Sequence, residues 1–164
     1  MRQVRPRLEI VILRHALEAN KQTGSARWAA LALGCRVVDY AATAAPFDPA
    51  SLPLEGAWLL FPGGEPTPPP AAPPPRLIVP DGTWQQARRF AHRVPALRGL
   101  PKLVLGAAPA GPRLRQPHAP EGWSTLEAIA AALALCGEPV PAALLRGLHQ
   151  AVIRRSERMR GPWE

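Results

Sequence analysis

The chain has 164 residues and a mass of 17.7 kDa, and 47% of it is hydrophobic, which suits one globular core and excludes pervasive disorder despite 22 prolines and 13 glycines. Basic side chains outnumber acidic ones, 20 to 12, and only Lys21 and Lys102 are lysines; arginine forks suit phosphate and point to a polyanionic partner, although joint abundance of Ala, Pro, Gly and Arg also fits a compositional bias. Cys35 and Cys136 lie far apart with no Cys-x-x-Cys and no paired histidines, and uncharged stretches such as Ala128 to Gly137 reach only ten residues, so a disulfide framework, a metal site and a membrane span are all unexpected.

Arg2, Arg5 and Arg7 precede the apolar Ile10-Val11-Ile12-Leu13, but Glu9 and Arg14 interrupt the run. Leu8 to Leu13 therefore reads as a strand rather than a leader, and the protein as cytoplasmic. After Thr23-Gly24-Ser25, the spacing of Trp28, Leu31 and Ala32 predicts a helix. Strands follow at Cys35 to Tyr40, Ala57 to Phe61 and Arg76 to Val79, the last two separated by an extended loop over 62–75 that holds eight prolines. Thr83-Trp84-Gln85-Gln86 has the form of a capping box opening a helix through Phe90. Lys102 to Leu105 is a fifth strand. Ser124-Thr125-Leu126-Glu127 repeats the capping-box pattern ahead of a deeply apolar helix that ends at Gly137. A basic last helix, from Pro141 to about Met159, sets Leu144, Leu145, Leu148, Val152 and Ile153 inward, with Arg146, Arg154, Glu157 and Arg158 outward. Strands alternating with helices predict an α/β fold: a single domain over 1–164 with a mostly parallel sheet flanked by helices.

In such sheets the ligand site lies beyond the carboxyl ends of the strands. Three segments qualify: Phe61-Pro62-Gly63-Gly64, Pro80 to Trp84, and Arg113 to Thr125. Two of them enter a capped helix start, where backbone N–H groups suit an anion.

Asp81-Gly82-Thr83-Trp84 resembles the Asp-x-Thr-Trp signature of the DTW-domain family. The resemblance extends to His15-Ala16-Leu17-Glu18 with Thr23-Gly24, to Leu59-Leu60-Phe61-Pro62, and to Leu114-Arg115 with Ser124-Thr125-Leu126-Glu127-Ala128. Two departures are the lack of a cysteine-rich segment before the first strand and Gln22 where asparagine is expected. The resemblance implies a tRNA-uridine aminocarboxypropyltransferase, with S-adenosylmethionine as co-substrate, no metal, and tRNA as partner. It also implies a SPOUT-like fold with a C-terminal trefoil knot, against the general rule for chain topology.

On that resemblance Leu60, Phe61, Pro62 and Gly63 shape an adenine slot, with Thr83, Trp84 and Leu114 beside it. Arg115 and the Ser124-Thr125 helix start receive the carboxylate of the amino-acid tail, and Asp81 or Glu127 its ammonium. Asp81 is also the candidate catalytic base for the uridine imide, although a free aspartate near pKa ~3.9 is a poor one. Trp84 and Trp123 are placed to stack on an extruded base, while His118, Arg154, Arg155 and Arg158 are RNA contacts. Each has a plainer reading: helix capping for Asp81, Ser124 and Thr125, core packing for Trp84, a hydrogen-bonded structural role for His15, and a solvated face for the arginines. The competing functions are a SPOUT-type RNA methyltransferase using the same pocket and a non-catalytic RNA-binding module.

Overall fold

The computed structural model describes residues 4–19, 24–40, 47–61, 63–111 and 122–159; the side chains of Trp84 and Met159 lie outside that description. Five strands form one sheet: β1 (Glu9–His15), β2 (Arg36–Tyr40), β3 (Ala57–Phe61), β4 (Arg76–Asp81) and β5 (Lys102–Val104), in the order β2-β1-β4-β3-β5. Every pairing is parallel. The helices are α1 (Ser25–Leu33), α2 (Trp84–Arg93), α3 (Pro95–Arg98), α4 (Thr125–Leu135) and α5 (Pro139–Met159).

Both faces of the sheet are covered, which is why β1 and β4 read as unbroken apolar runs rather than alternating ones. Ile10, Ile12, Leu77 and Val79 pack with α1, α4 and α5, and the alternate residues Val11, Leu13, Leu59 and Ile78 pack with Ala91, Val94 and Leu97 of the α2–α3 segment. The helix α4 is apolar nearly all round because it lies between the sheet and α5, with Leu126, Ile129 and Leu133 fully buried. Trp28 and Trp58 pack against this same cluster.

Relative to the sequence reading, β1 runs on from Leu13 to His15, α2 runs on from Phe90 to Arg93, and β5 stops at Val104 rather than Leu105; three further differences have a local cause. The strand β4 runs past Val79 through Pro80 to Asp81: its ladder to β3 ends at Ile78, while its ladder to β1 continues to Asp81. The fixed φ of proline is compatible with extended backbone there. A one-turn helix, α3, follows Val94, with Pro95 in its first turn, where a missing N–H leaves no helical bond unmade. The last helix begins two residues early, at Pro139, because Gly137 adopts φ 76° and lets Glu138 N–H return to Leu133 O at 2.8 Å, closing α4 with a glycine cap. The adjoining Glu138 is buried and accepts from Leu8 N–H at 2.9 Å, tying this turn to the entry of β1.

The proline-rich segment runs along the outer side of β5. Thr67 N–H donates to Val104 O and Val104 N–H donates to Thr67 Oγ1, each at 2.9 Å.

Candidate active site

The chain leaves β1 through α1 to the flank at β2, and leaves β4 through α2 and α3 to the opposite flank at β5. The adjacent carboxyl ends of β1 and β4 are therefore the switch point of the sheet, where a ligand crevice opens. Three charged residues meet there. The register sets Arg14 beside Asp39 on one side and beside Asp81 on the other. All three lie on the face that α4 covers, by alternation from Ile12 and Val79.

Asp81 is buried, at 7% exposure. Its Oδ1 accepts a hydrogen bond from Thr125 Oγ1 at 2.5 Å, across 44 residues of sequence. Asp81 is not the cap of α2. That role falls to Thr83, whose Oγ1 accepts from Gln86 N–H at 3.2 Å while Gln86 Oε1 accepts from Thr83 N–H at 2.7 Å. Gly82 leaves room for that box: a Cβ there would stand 3.0 Å from Gln86 Oε1 and 3.4 Å from His15 Cβ, crowding the capping side chain. Arg14 grips Asp39 with two bonds, Nε to Oδ1 at 2.7 Å and Nη2 to Oδ2 at 3.0 Å. The hydrogen bond to Asp39 raises the Arg14 pKa, burial opposes it, and the charges of Asp39 and Asp81 add to the rise.

The start of α4 is the second half of the site. Ser124 Oγ accepts from Glu127 N–H at 3.3 Å, and Glu127 Oε2 takes both Ser124 N–H at 3.0 Å and Ser124 Oγ–H at 2.6 Å. The capping boxes expected at Thr83 and Ser124 are thus both present. Trp123 is fixed by its Nε1–H donating to Gly106 O at 2.7 Å.

On the other face of the sheet, His15 Nδ1 accepts from Leu17 N–H at 3.2 Å and its ring meets Tyr40 edge-on at 5.1 Å. This is the structural role anticipated for His15. Tyr40 stacks on Phe90 and its buried Oη has no hydrogen-bond partner among the described residues. Burial, followed by the charges of Asp81 and Glu18, pushes the phenol pKa up.

The structure thus brings together Asp81, Thr125, Ser124, Glu127 and Trp123, with Leu60 packed into the same cluster as Leu126. Phe61 points to the opposite face, where its ring lies under Lys102 Nζ at 4.6 Å. Gly63 is exposed, at φ 86°. Pro62, Leu114, Arg115 and His118 lie outside the described residues, as does the side chain of Trp84. Arg154, Arg155 and Arg158 line one concavity on α5. Sequence reasoning missed Arg14 and Asp39, whose pairing depends on register, and His149, whose Nδ1 stands 3.8 Å from Glu127 Oε1.

A buried carboxylate at a sheet switch point, held by a hydroxyl and set beside a guanidinium, can bind a cationic group or receive a proton. Two capped helix starts adjoin it, with N–H groups suited to an anion. The family model of the DTW domain matches residues 1–156. The chain belongs to the DTW-domain family, which is associated with tRNA modification. Among curated proteins and among solved structures, nothing matches the chain. Among the described residues there is no helix long and apolar enough to cross a membrane and no group of three or more metal-ligating side chains.

Proposed function

We propose that this protein is a tRNA-uridine aminocarboxypropyltransferase of the cytoplasm, working as a single domain over 1–164. The observation that carries the reading is the Asp81-Gly82-Thr83-Trp84 turn at the switch point, with Asp81 buried against Thr125, in a chain of the DTW-domain family. The all-parallel sheet with its site loops at the carboxyl ends supports a SPOUT-like fold. That reading carries with it a C-terminal trefoil knot.

The donor set fits S-adenosylmethionine: a buried carboxylate suits its cationic groups, and the starts of α2 and α4 suit its carboxylate. When bound, the co-substrate supplies a γ-carbon activated by a sulfonium. The chain itself has to orient the tail, exclude water and remove the uridine imide proton. Asp81 holds the ammonium or takes that proton, Thr125 fixes the carboxylate for either task, and Glu127, committed to Ser124, keeps the α4 start in place. Leu60, the backbone of Phe61, Pro62 and Gly63, with Thr83, Trp84, Leu114 and Arg115, complete the co-substrate site in this reading. Trp123, His118, Arg154, Arg155 and Arg158 contact tRNA.

Incubation with S-adenosylmethionine and bulk tRNA tests the proposal. Aminocarboxypropyl transfer releases 5′-methylthioadenosine in proportion to a modified uridine. S-adenosylhomocysteine as the RNA-dependent product would reassign the chain to methyl transfer. RNA binding with neither product would leave a non-catalytic module.

A further inference from the structure

Behind the start of α4, on the side away from Asp81, lies a cleft of about 610 Å³ between the loop after β5, α4 and α5. Residues two apart on a helix point about 200° apart, so Thr125 turns toward Asp81 while Glu127 turns into the cleft. Trp123 forms one wall, with its ring held by Gly106 O. His149, 9% exposed, lines the floor. Its Nδ1 stands 3.8 Å from Glu127 Oε1, beyond hydrogen-bond reach, so both atoms retain capacity for a third group. Gln150 adds an exposed amide, a donor and acceptor together. Arg146, Arg154 and Glu157 also line the cleft, an excess of positive charge among them, and Arg154 lines the adjoining concavity of about 390 Å³ as well, with Arg155 and Arg158.

An indole wall, a polar floor that both donates and accepts, and a cationic mouth leading to further arginines suit a heteroaromatic base attached to successive phosphates. We infer that this cleft seats an unpaired nucleotide of the RNA, its base against Trp123 with its edge toward Glu127 and His149, its phosphates on Arg154 and then Arg155 and Arg158. The inference rests on RNA being the substrate. The seated nucleotide lies across the width of the α4 start from Asp81, so a neighbour in the same strand reaches the switch point while the cleft holds its register.

Binding of a fluorescein-labelled, unstructured uridine decamer, read by anisotropy without turnover, tests the site. Gln150→Ala and His149→Gln are expected to weaken the decamer roughly tenfold. Arg154→Gln should weaken it and lower the slope of log affinity against log salt by about 0.7. Arg98→Gln, which removes the same charge from exposed α3 on the other face of the sheet, should leave affinity within about twofold. Wild-type affinity in both Gln150→Ala and Arg154→Gln overturns the proposal, as does failure of the unaltered protein to bind the decamer. Loss of S-adenosylmethionine binding in these variants, with decamer binding intact, also overturns it and gives the cleft to the co-substrate. Weakened decamer binding in a protein that forms no 5′-methylthioadenosine would sink the proposed activity and leave the cleft assignment standing.

Discussion

Thr125 Oγ1 donates to Asp81 Oδ1 at 2.5 Å, fastening the first residue of α4 to the last residue of β4. A hydroxyl-to-carboxylate bond in a buried setting contributes about 1.5–3 kcal/mol. Thr125→Val keeps the shape and removes the donor, and is expected to lower urea stability by that amount. Thr125→Ser, which keeps the hydroxyl, should lose less than half as much. Equal losses in the two variants would mean that packing of the methyl group, not the bond, matters here.

Asp81→Asn is nearly isosteric and leaves the α2 cap untouched, since Thr83 supplies it. The amide oxygen still accepts from Thr125, so the melting temperature should fall by only a few degrees, while 5′-methylthioadenosine formation falls roughly 100-fold or more. A folded Asp81→Asn protein with near-normal turnover would remove Asp81 from the catalytic set.

The Arg14–Asp39 pair is bidentate but open to solvent on the Asp39 side, whose side chain is 43% exposed. Asp39→Asn should therefore cost only about 1 kcal/mol at low salt and less at 1 M salt. Arg14→Met should cost more and respond less to salt, because it also withdraws the cation beside buried Asp81. Denaturant titration at two ionic strengths separates these cases.

Arg155→Gln with Arg158→Gln removes two charges from the outer face of α5, remote from its packed Leu145 and Ile153. The apparent KM for tRNA should rise, and the salt slope should fall by about 0.7–0.9 for each phosphate no longer neutralised, with S-adenosylmethionine affinity unchanged. An unchanged slope returns these arginines to an ordinary solvated surface.

Burial pushes the Cys35 thiol up from 9.0 to about 12. The thiol should resist thiol reagents at neutral pH in the folded protein and react at once in urea. The unfolded thiol ionises above about 9 while the folded one stays protonated to about 12, so unfolding releases a proton across that window and stability falls as pH rises through it. Cys35→Ala should flatten this alkaline decline in a series of urea midpoints. Tyr40 and Cys136, both shifted in the same direction by burial, account for a residual slope.

The elements legible in the sequence are those whose signal is local. The capping boxes at Thr83–Gln86 and Ser124–Glu127 need only a three-residue spacing, and the apolar runs at Ile10 to Leu13 and Leu77 to Val79 announce a sheet buried on both faces. The one-turn helix α3 carries too few residues to show a period. Asp81 could be picked out by its motif, but its partner could not: Thr125 is 44 residues away and reaches it only once α4 is packed on the sheet. Arg14 and Asp39 had no signal of their own because strand order and register bring them together. His149 looked like any residue of a basic helix until α5 settled against Glu127.

The bonds between Thr67 and Val104 have a consequence for the protein in a crowded solution. An outermost strand exposes amides and carbonyls that a second molecule can use as a template. Here β5 spends the outward N–H and C=O of Val104 on its own chain, and the covering segment, with Pro66 and Pro68 flanking Thr67, lacks the donors needed to pass the pattern outward. At the opposite border, Arg36 of β2 reaches back to Ser51 O at 2.9 Å, and Asp39 sets a charge on that strand. Both borders of the sheet thus discourage polymer growth from strand to strand, and a tract that looks like low-complexity filler in the sequence acts as a stopper on its most vulnerable side.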